Sequence, residues 1–189
     1  YHKNPHFEGL LSLPSRDKAA TFTFAKWFFS YNDSRYAESA GLWGALWGSL
    51  YVLLITLITA LPIGLCAGIY LEELAPRHGL LSLLEIIIAN LAAVPSILYG
   101  LLGLAMFIHA CDMPRSSALV GGLTLALMSL PLLVTSTRQA LRTVPQSLRD
   151  SAKALGASPL QATFHHVVPY AFPPIMTGIF ISMARVLGE

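Results

Sequence analysis

Arg185 makes the strongest chemical claim in this sequence, because it is a permanent cation inside the apolar run "VVPYAFPPIMTGIFISMARVLGE". It follows Pro169 by sixteen residues and Pro174 by eleven, roughly 16–24 Å at helical rise. With Pro169 near one surface, that depth lies well inside an apolar layer about 30 Å thick. An ionisable group so placed faces a cavity or a partner, and guanidinium grips oxyanions through two parallel hydrogen bonds. Glu189, one turn on, would hold the charge when no anion is present. A plain Arg185–Glu189 pair, or snorkelling of Arg185 to the interface, is the competing structural account.

Other residues carry less. "VPSILYG" puts Pro95 and Ser96 inside an apolar run, where a broken helix can present backbone donors to an anion; a packing kink is the alternative. Asn90 reads as an interhelical hydrogen bond. His165 and His166 are adjacent, so they point to different faces and lack the i, i+4 spacing of a zinc helix. Glu72 and Glu73 fall in a short polar break, "EELAPRHG", and read as a solvated turn. Cys66 and Cys111 have no C-x-x-C spacing and read as packing thiols. No G-x-x-x-x-G-K-[ST] phosphate-binding loop occurs. An intramembrane enzyme would need a nucleophile–base or metal constellation at depth, and Arg185 with Glu189 offers no nucleophile.

The elements that must position these groups are dictated by composition. The 189 residues are 54% hydrophobic and 12% charged, against about a quarter charged in soluble domains. A net charge of +2, with no basic–aromatic stripe, excludes a nucleic-acid partner. Residues 39–71 carry no charge, enough to span about 30 Å; Trp43 and Trp47 stand one turn apart at the start, as in an interfacial belt. Gly44/Gly48 and Gly64/Gly68 give small-xxx-small spacing for close packing. Further apolar runs cover 86–109, 116–137 and from about 167 onward. The expectation is an all-α membrane protein with about four spans, several broken by proline and therefore bundled around a cavity. Both ends read as cuts through a longer protein, with further spans missing.

Loop charge sets the orientation. Residues 138–166 hold Arg138, Arg142, Arg149 and Lys153 against Asp150, which places this loop in the cytoplasm. Residues 1–38 then form an extracytoplasmic segment, mixed in charge and rich in Phe and Tyr, and 39–189 form the transmembrane core. The loop has structure of its own. Pro145 and Ser147 open a helix, with Ser147 as N-cap; Leu148, Ala152 and Leu155 keep helical spacing, and Gly156 ends it in a left-handed cap. Ser158 and Pro159 then start a second short helix. A plain connection between spans needs about 2–8 residues. Two capped helices aimed at water suggest a docking surface with Asp150, Ser151 and Ala152 on its contact side; an amphipathic loop lying on the membrane is the alternative.

"DSAKALG", nine further residues, then "HVVP" resembles the EAA loop of ABC importer permeases. Asp150, Ser151, Ala152, Gly156, Val168 and Pro169 fall at the motif's places. The departures are Asp for Glu, Ser for the first Ala, and His166 at an apolar position. Residues 40–189, including "LPIGLCAGIYLEELAP" and "TGIFISMARVLGE", are similar to phosphate-importer permeases of the PstA type. The resemblance implies a MetI-like ABC importer permease bundle in the inner membrane, with Asp150, Ser151, Ala152, Leu155, Gly156 and Pro169 in the ATPase coupling loop. Its partners would be a second homologous permease, two ATP-binding subunits and an external phosphate-binding protein. ATP and magnesium would sit on the ATPase, with no cofactor on this chain. A permease for another oxyanion or an amino acid, or a non-transporting membrane anchor, would share most of these features.

Overall fold

The computed structural model describes residues 42–76 and 79–189. Residues 1–41, which include the segment 1–38 expected to be extracytoplasmic, and Arg77 and His78 of the polar break lie outside the described residues. Every regular element among the described residues is helical.

Helix α1, Trp43–Ile69, continues through a π-helical turn, Tyr70–Leu74. Helices α2, Gly79–Ala92, and α3, Ser96–Gly103, meet at a break, and a π-helical stretch, Leu104–Ala110, extends α3. Then come α4, Ala118–Arg142, α5, Gln146–Ala154, and α6, Pro159–Ala162. A π-helical turn, Thr163–Val167, joins α6 to α7, Val168–Gly188. Three uninterrupted stretches are long and apolar enough to cross a membrane: Trp43–Leu74, Ala118–Arg142 and Pro159–Gly188. The pair Gly79–Ala92 and Ser96–Ala110, bent by 98°, makes a fourth if counted as one span.

Small residues set how the spans pack. Lipid tails are as apolar as leucine, so helices associate through close backbone approach rather than burial from water. A Cβ on Gly64 would lie 2.8 Å from Leu133 Cβ, one on Gly68 2.7 Å from Thr137 Cβ, and one on Gly122 2.6 Å from Ile55 Cγ2. The partners advance together (55 with 122, 64 with 133, 68 with 137), so α1 and α4 run parallel. Thr56 fastens the same seam, donating its hydroxyl to the carbonyls of Val52 and Gly122 at 2.9 and 3.0 Å. Two parallel spans need a return crossing between them, and the α2–α3 pair supplies it. Gly103 of α3 packs on Thr124 of α4, and Gly178 of α7 on Ser136. The core gathers Ala60, Leu133, Leu141, Ala171, Ile175 and Ile179 from α1, α4 and α7.

The break expected in the second apolar run is present as two arms nearly at right angles, because Pro95 cannot donate to the α2 ladder and stands at the N-cap of α3. Two expectations need correction. The helix that carries the last span begins at Pro159, ahead of the apolar run expected from near Val167, since the π-turn lets α6 run on into α7. Asn90 is exposed, with its carbonyl accepting from the Ala93 N–H, and no side-chain hydrogen bond joins it to another helix among the described residues.

The seam gives a direct test. A leucine at Gly68 must displace Thr137 and the Val134 carbonyl, 3.2 Å from the new Cβ; overpacking of this kind costs about 1–3 kcal/mol. Gly48 has nothing within 4 Å, so Gly48→Ala gains about 1 kcal/mol of helix propensity. Thermal unfolding of the purified full-length protein in detergent should fall clearly for Gly68→Leu and stay level or rise for Gly48→Ala. Equal losses in both would refute the seam.

Candidate functional site

The loop between α4 and α7 is built from its caps outward. Helix α5 begins at Gln146 with Pro145 in the N-cap position, so Ser147 lies inside the helix and its carbonyl accepts from the Ser151 hydroxyl at 2.7 Å. The expected Ser147 cap is thus displaced by one turn start: Pro145 needs no N–H there. Gly156 has φ +85°, with its N–H donating to the Lys153 carbonyl at 2.9 Å and the Ala157 N–H to the Ala152 carbonyl at 3.1 Å. That is a Schellman closure, which requires the left-handed conformation glycine tolerates. Ser158 caps α6 reciprocally with Gln161, and His165 contacts the Gln161 carbonyl through Nδ1 at 3.2 Å.

The faces of the loop differ from the expectation at one residue. Asp150 and Ser151 are exposed, and Asp150 accepts from the Gln146 amide at 3.1 Å. Ala152 is instead buried, turned toward the bundle, because α5 packs its small face against the Thr163–Val167 turn. Leu155 is 87% exposed, and Leu160 and Phe164 are each more than half exposed. Pro169 occupies the first turn of α7 and is exposed. The outward surface is therefore apolar knobs beside polar residues.

The inward side holds a cluster that the sequence did not disclose as one. Arg149 reaches Glu73 through Nε at 3.1 and 3.2 Å and through one terminal nitrogen at 2.7 Å. The same guanidinium donates to the carbonyls of Leu141, in the last turn of α4, and Val144, just past it, both at 2.8 Å. Glu73's hydrogen bonds hold the Arg149 guanidinium above its ordinary value, against the opposing effect of burial. Arg138 bonds Glu72 through Nε at 3.0 Å and Glu85 of α2 through a terminal nitrogen; Arg142 bonds Glu72 at 2.9 Å. Glu72 and Glu73 are therefore not a solvated turn: their side chains are 14% and 8% exposed. The parallel run of α1 and α4 delivers both acids to the arginine-rich helix end. A cavity of about 520 Å³ opens beside them, lined by Glu72, Ser82, Glu85, Arg138 and Arg142 among others. The arginines at 138 and 142, four apart on one helix face, were the available signal; their partners, 53 to 70 residues away, were not.

Arg185 is half-buried on α7, between buried Ser182 and Val186. Among the described residues no ion pair joins it to Glu189, which follows the helix end and is exposed. Tyr99 is buried and donates to the Leu91 carbonyl at 2.9 Å, bracing the break between α2 and α3. Pro95 is exposed at that break and Ser96 half-buried as the first residue of α3. Tyr99, a residue the sequence did not single out, thus ties the two arms together. Cys66 and Cys111 are free and exposed.

Residues 60–189 match the family described as binding-protein-dependent transport system inner membrane component. The chain is 35% identical over 135 residues to the probable ABC transporter permease protein YqgH of Bacillus subtilis (strain 168), covering 69% of this chain and 43% of that one. To YqgI of the same organism it is 32% identical over 163 residues, covering 86% and 55%. To the phosphate transport system permease protein PstA 1 of Mycobacterium tuberculosis (strain ATCC 25618 / H37Rv) it is 34% identical over 152 residues, covering 80% and 48%. The chain spans about half the length of the curated relatives it matches. A bundle of apolar helices carrying a capped polar loop, matched over more than two thirds of its length, belongs to the MetI-like family of binding-protein-dependent inner-membrane transport components.

Proposed function

We propose that this chain is the membrane-embedded core of a permease subunit in an ATP-driven importer of inorganic phosphate. The observation that carries the proposal is the two-sided loop at 138–166: its inner face is fastened to α1 and α4 by Arg149, and its outer face offers Leu155, Leu160 and Phe164 to a partner. Apolar side chains held rigidly in water on a membrane protein mark a protein interface. Asp150, Ser151, Leu155 and Gly156 meet a separate ATP-binding subunit, with Pro169 setting the direction of α7; Ala152 supports them from behind. ATP and its magnesium belong to that partner, and this chain performs no chemistry on them. A second permease of the same kind covers the exposed apolar faces of α2 and α3, two ATP-binding subunits complete the cytoplasmic side, and an external binding protein delivers the anion.

Phosphate is favoured by the relatives named for phosphate transport and by the half-buried Arg185 of α7, whose guanidinium suits an oxyanion. The experiment is uptake of radiolabelled phosphate by vesicles containing the full-length permease pair and its ATPase, with binding protein outside and ATP inside. Saturable phosphate uptake, displaced by excess unlabelled phosphate and little affected by molybdate or amino acids, is the expected outcome. ATP-dependent uptake of molybdate or an amino acid in preference to phosphate would overturn the substrate assignment.

A further inference from the structure

We propose that Arg149 and Arg138 form a two-clamp relay that carries displacement of α5 to the break between α2 and α3. This rests on the reading that the 138–166 loop docks on an ATPase.

The first clamp is Arg149. One guanidinium joins three elements: it is carried by α5, holds the Glu73 carboxylate at the end of α1, and closes the Leu141 and Val144 carbonyls at the end of α4. With the Arg149 and Glu73 side chains only 15% and 8% exposed, water cannot substitute freely for either. A planar fork with fixed donor directions resists rotation as well as separation.

The second clamp begins at the neighbouring residue. Glu72 accepts from Arg138 with one carboxylate oxygen and from Arg142 with the other. Arg138, whose side chain is 8% exposed, continues to Glu85 on α2. Adjacent residues on a helical turn point in different directions, so the π-turn Tyr70–Leu74 can hold α5 with Glu73 and α4 with Glu72 at once. Such turns concentrate at functional sites. From Glu85 the rigid α2 runs about 10 Å to Ala92, where the chain breaks before Pro95. Among the described residues, three carboxylates and three guanidiniums balance in this set of ion pairs. Its geometry is that of a linkage: each end of the chain of contacts lies on an element that the docking surface or the break can move.

The test uses the full-length complex in vesicles with Cys66 and Cys111 replaced by serine, since both are exposed, and with Ser96→Cys as reporter. Thiol labelling at position 96 with and without ATP, substrate uptake and ATP hydrolysis are measured together for Arg149→Lys, Arg138→Lys and Glu85→Gln. The relay predicts ATP-dependent labelling in the parent, lost in each variant while hydrolysis persists, with uptake per ATP reduced about tenfold. Because the clamps act in series, Arg149→Lys with Glu85→Gln should lose no more than the worse single variant. Labelling that is insensitive to ATP in the parent, or that keeps its ATP response in all three variants, overturns the relay. So does a loss of uptake that only follows loss of assembled complex. If labelling at position 96 shifts with ATP in the reporter protein, while the same cysteine-free protein with Ser96 intact hydrolyses ATP but imports no phosphate, the relay is supported and the phosphate assignment is overturned instead.

Discussion

Replacing Arg185 by glutamine is expected to abolish phosphate uptake while the complex still assembles and its ATPase contact survives. Phosphate near neutral pH is a mixture of mono- and dianion, and an apolar layer offers it no counter-charge. Arg185 lies half-buried on the apolar helix α7, between the buried Ser182 and Val186. Opposite unit charges about 4 Å apart are worth about 4 kcal/mol at an effective dielectric of about 20, on the order of a thousandfold in rate. Glutamine keeps two N–H donors on a shorter side chain but removes that charge. Arg185→Lys should recover part of the activity, since an ammonium supplies charge without a bidentate fork. The absence of an Arg185–Glu189 pair among the described residues adds a contrast: Glu189→Gln should cost far less than Arg185→Gln. Normal uptake by the glutamine variant at normal abundance would return Arg185 to a structural role.

Gly156→Leu should uncouple ATP hydrolysis from uptake, and a comparison with Gly156→Ala separates the two reasons. Any L-residue at φ +85° carries about 1–2 kcal/mol of backbone strain, so alanine and leucine share that penalty. A new Cβ meets nothing within 4 Å, so within the subunit neither substitution clashes. The further length of leucine matters only to something docked on the loop. Uptake by the alanine variant should fall modestly, and by the leucine variant at least about tenfold, with hydrolysis continuing in both; coupling energies between sites are of this size. Identical behaviour of the two variants would argue that nothing docks at Gly156.

Which features were readable in the sequence follows from the range of the interactions involved. The left-handed cap at Gly156 and the reciprocal cap of Ser158 with Gln161 are settled within a few residues, and both were predicted at their places apart from Gln161. The spans at Trp43–Leu74 and Ala118–Arg142 were visible because long uncharged runs have few other uses. The inward turn of Ala152 was not visible, since a small residue at helical spacing fits either face. Gly44/Gly48 and Gly64/Gly68 look alike in sequence, yet Gly68 is pressed on Thr137 and Gly48 stands open. Within lipid both faces of a helix are apolar, so periodicity loses the contrast it has in water. The 98° bend, the Glu72–Arg138 and Glu73–Arg149 pairs, and the role of Tyr99 depend on which spans become neighbours. The acids of the polar break were assigned to solvent because their partners lie 66 and 76 residues downstream.

The parallel seam between α1 and α4 also imposes an order on biogenesis. Glu72 and Glu73 leave the ribosome 66 and 76 residues before the arginines that will neutralise them. At about 5–20 residues per second that delay is roughly 3–15 seconds. During it the first span must rest with two carboxylates unpaired, which only the aqueous edge of the bilayer permits. The seam glycines can engage only after the bent pair has crossed and α4 has followed it. Nascent chains halted before residue 138 should therefore hold α1 near the insertion machinery, and chains extended past residue 149 should release it.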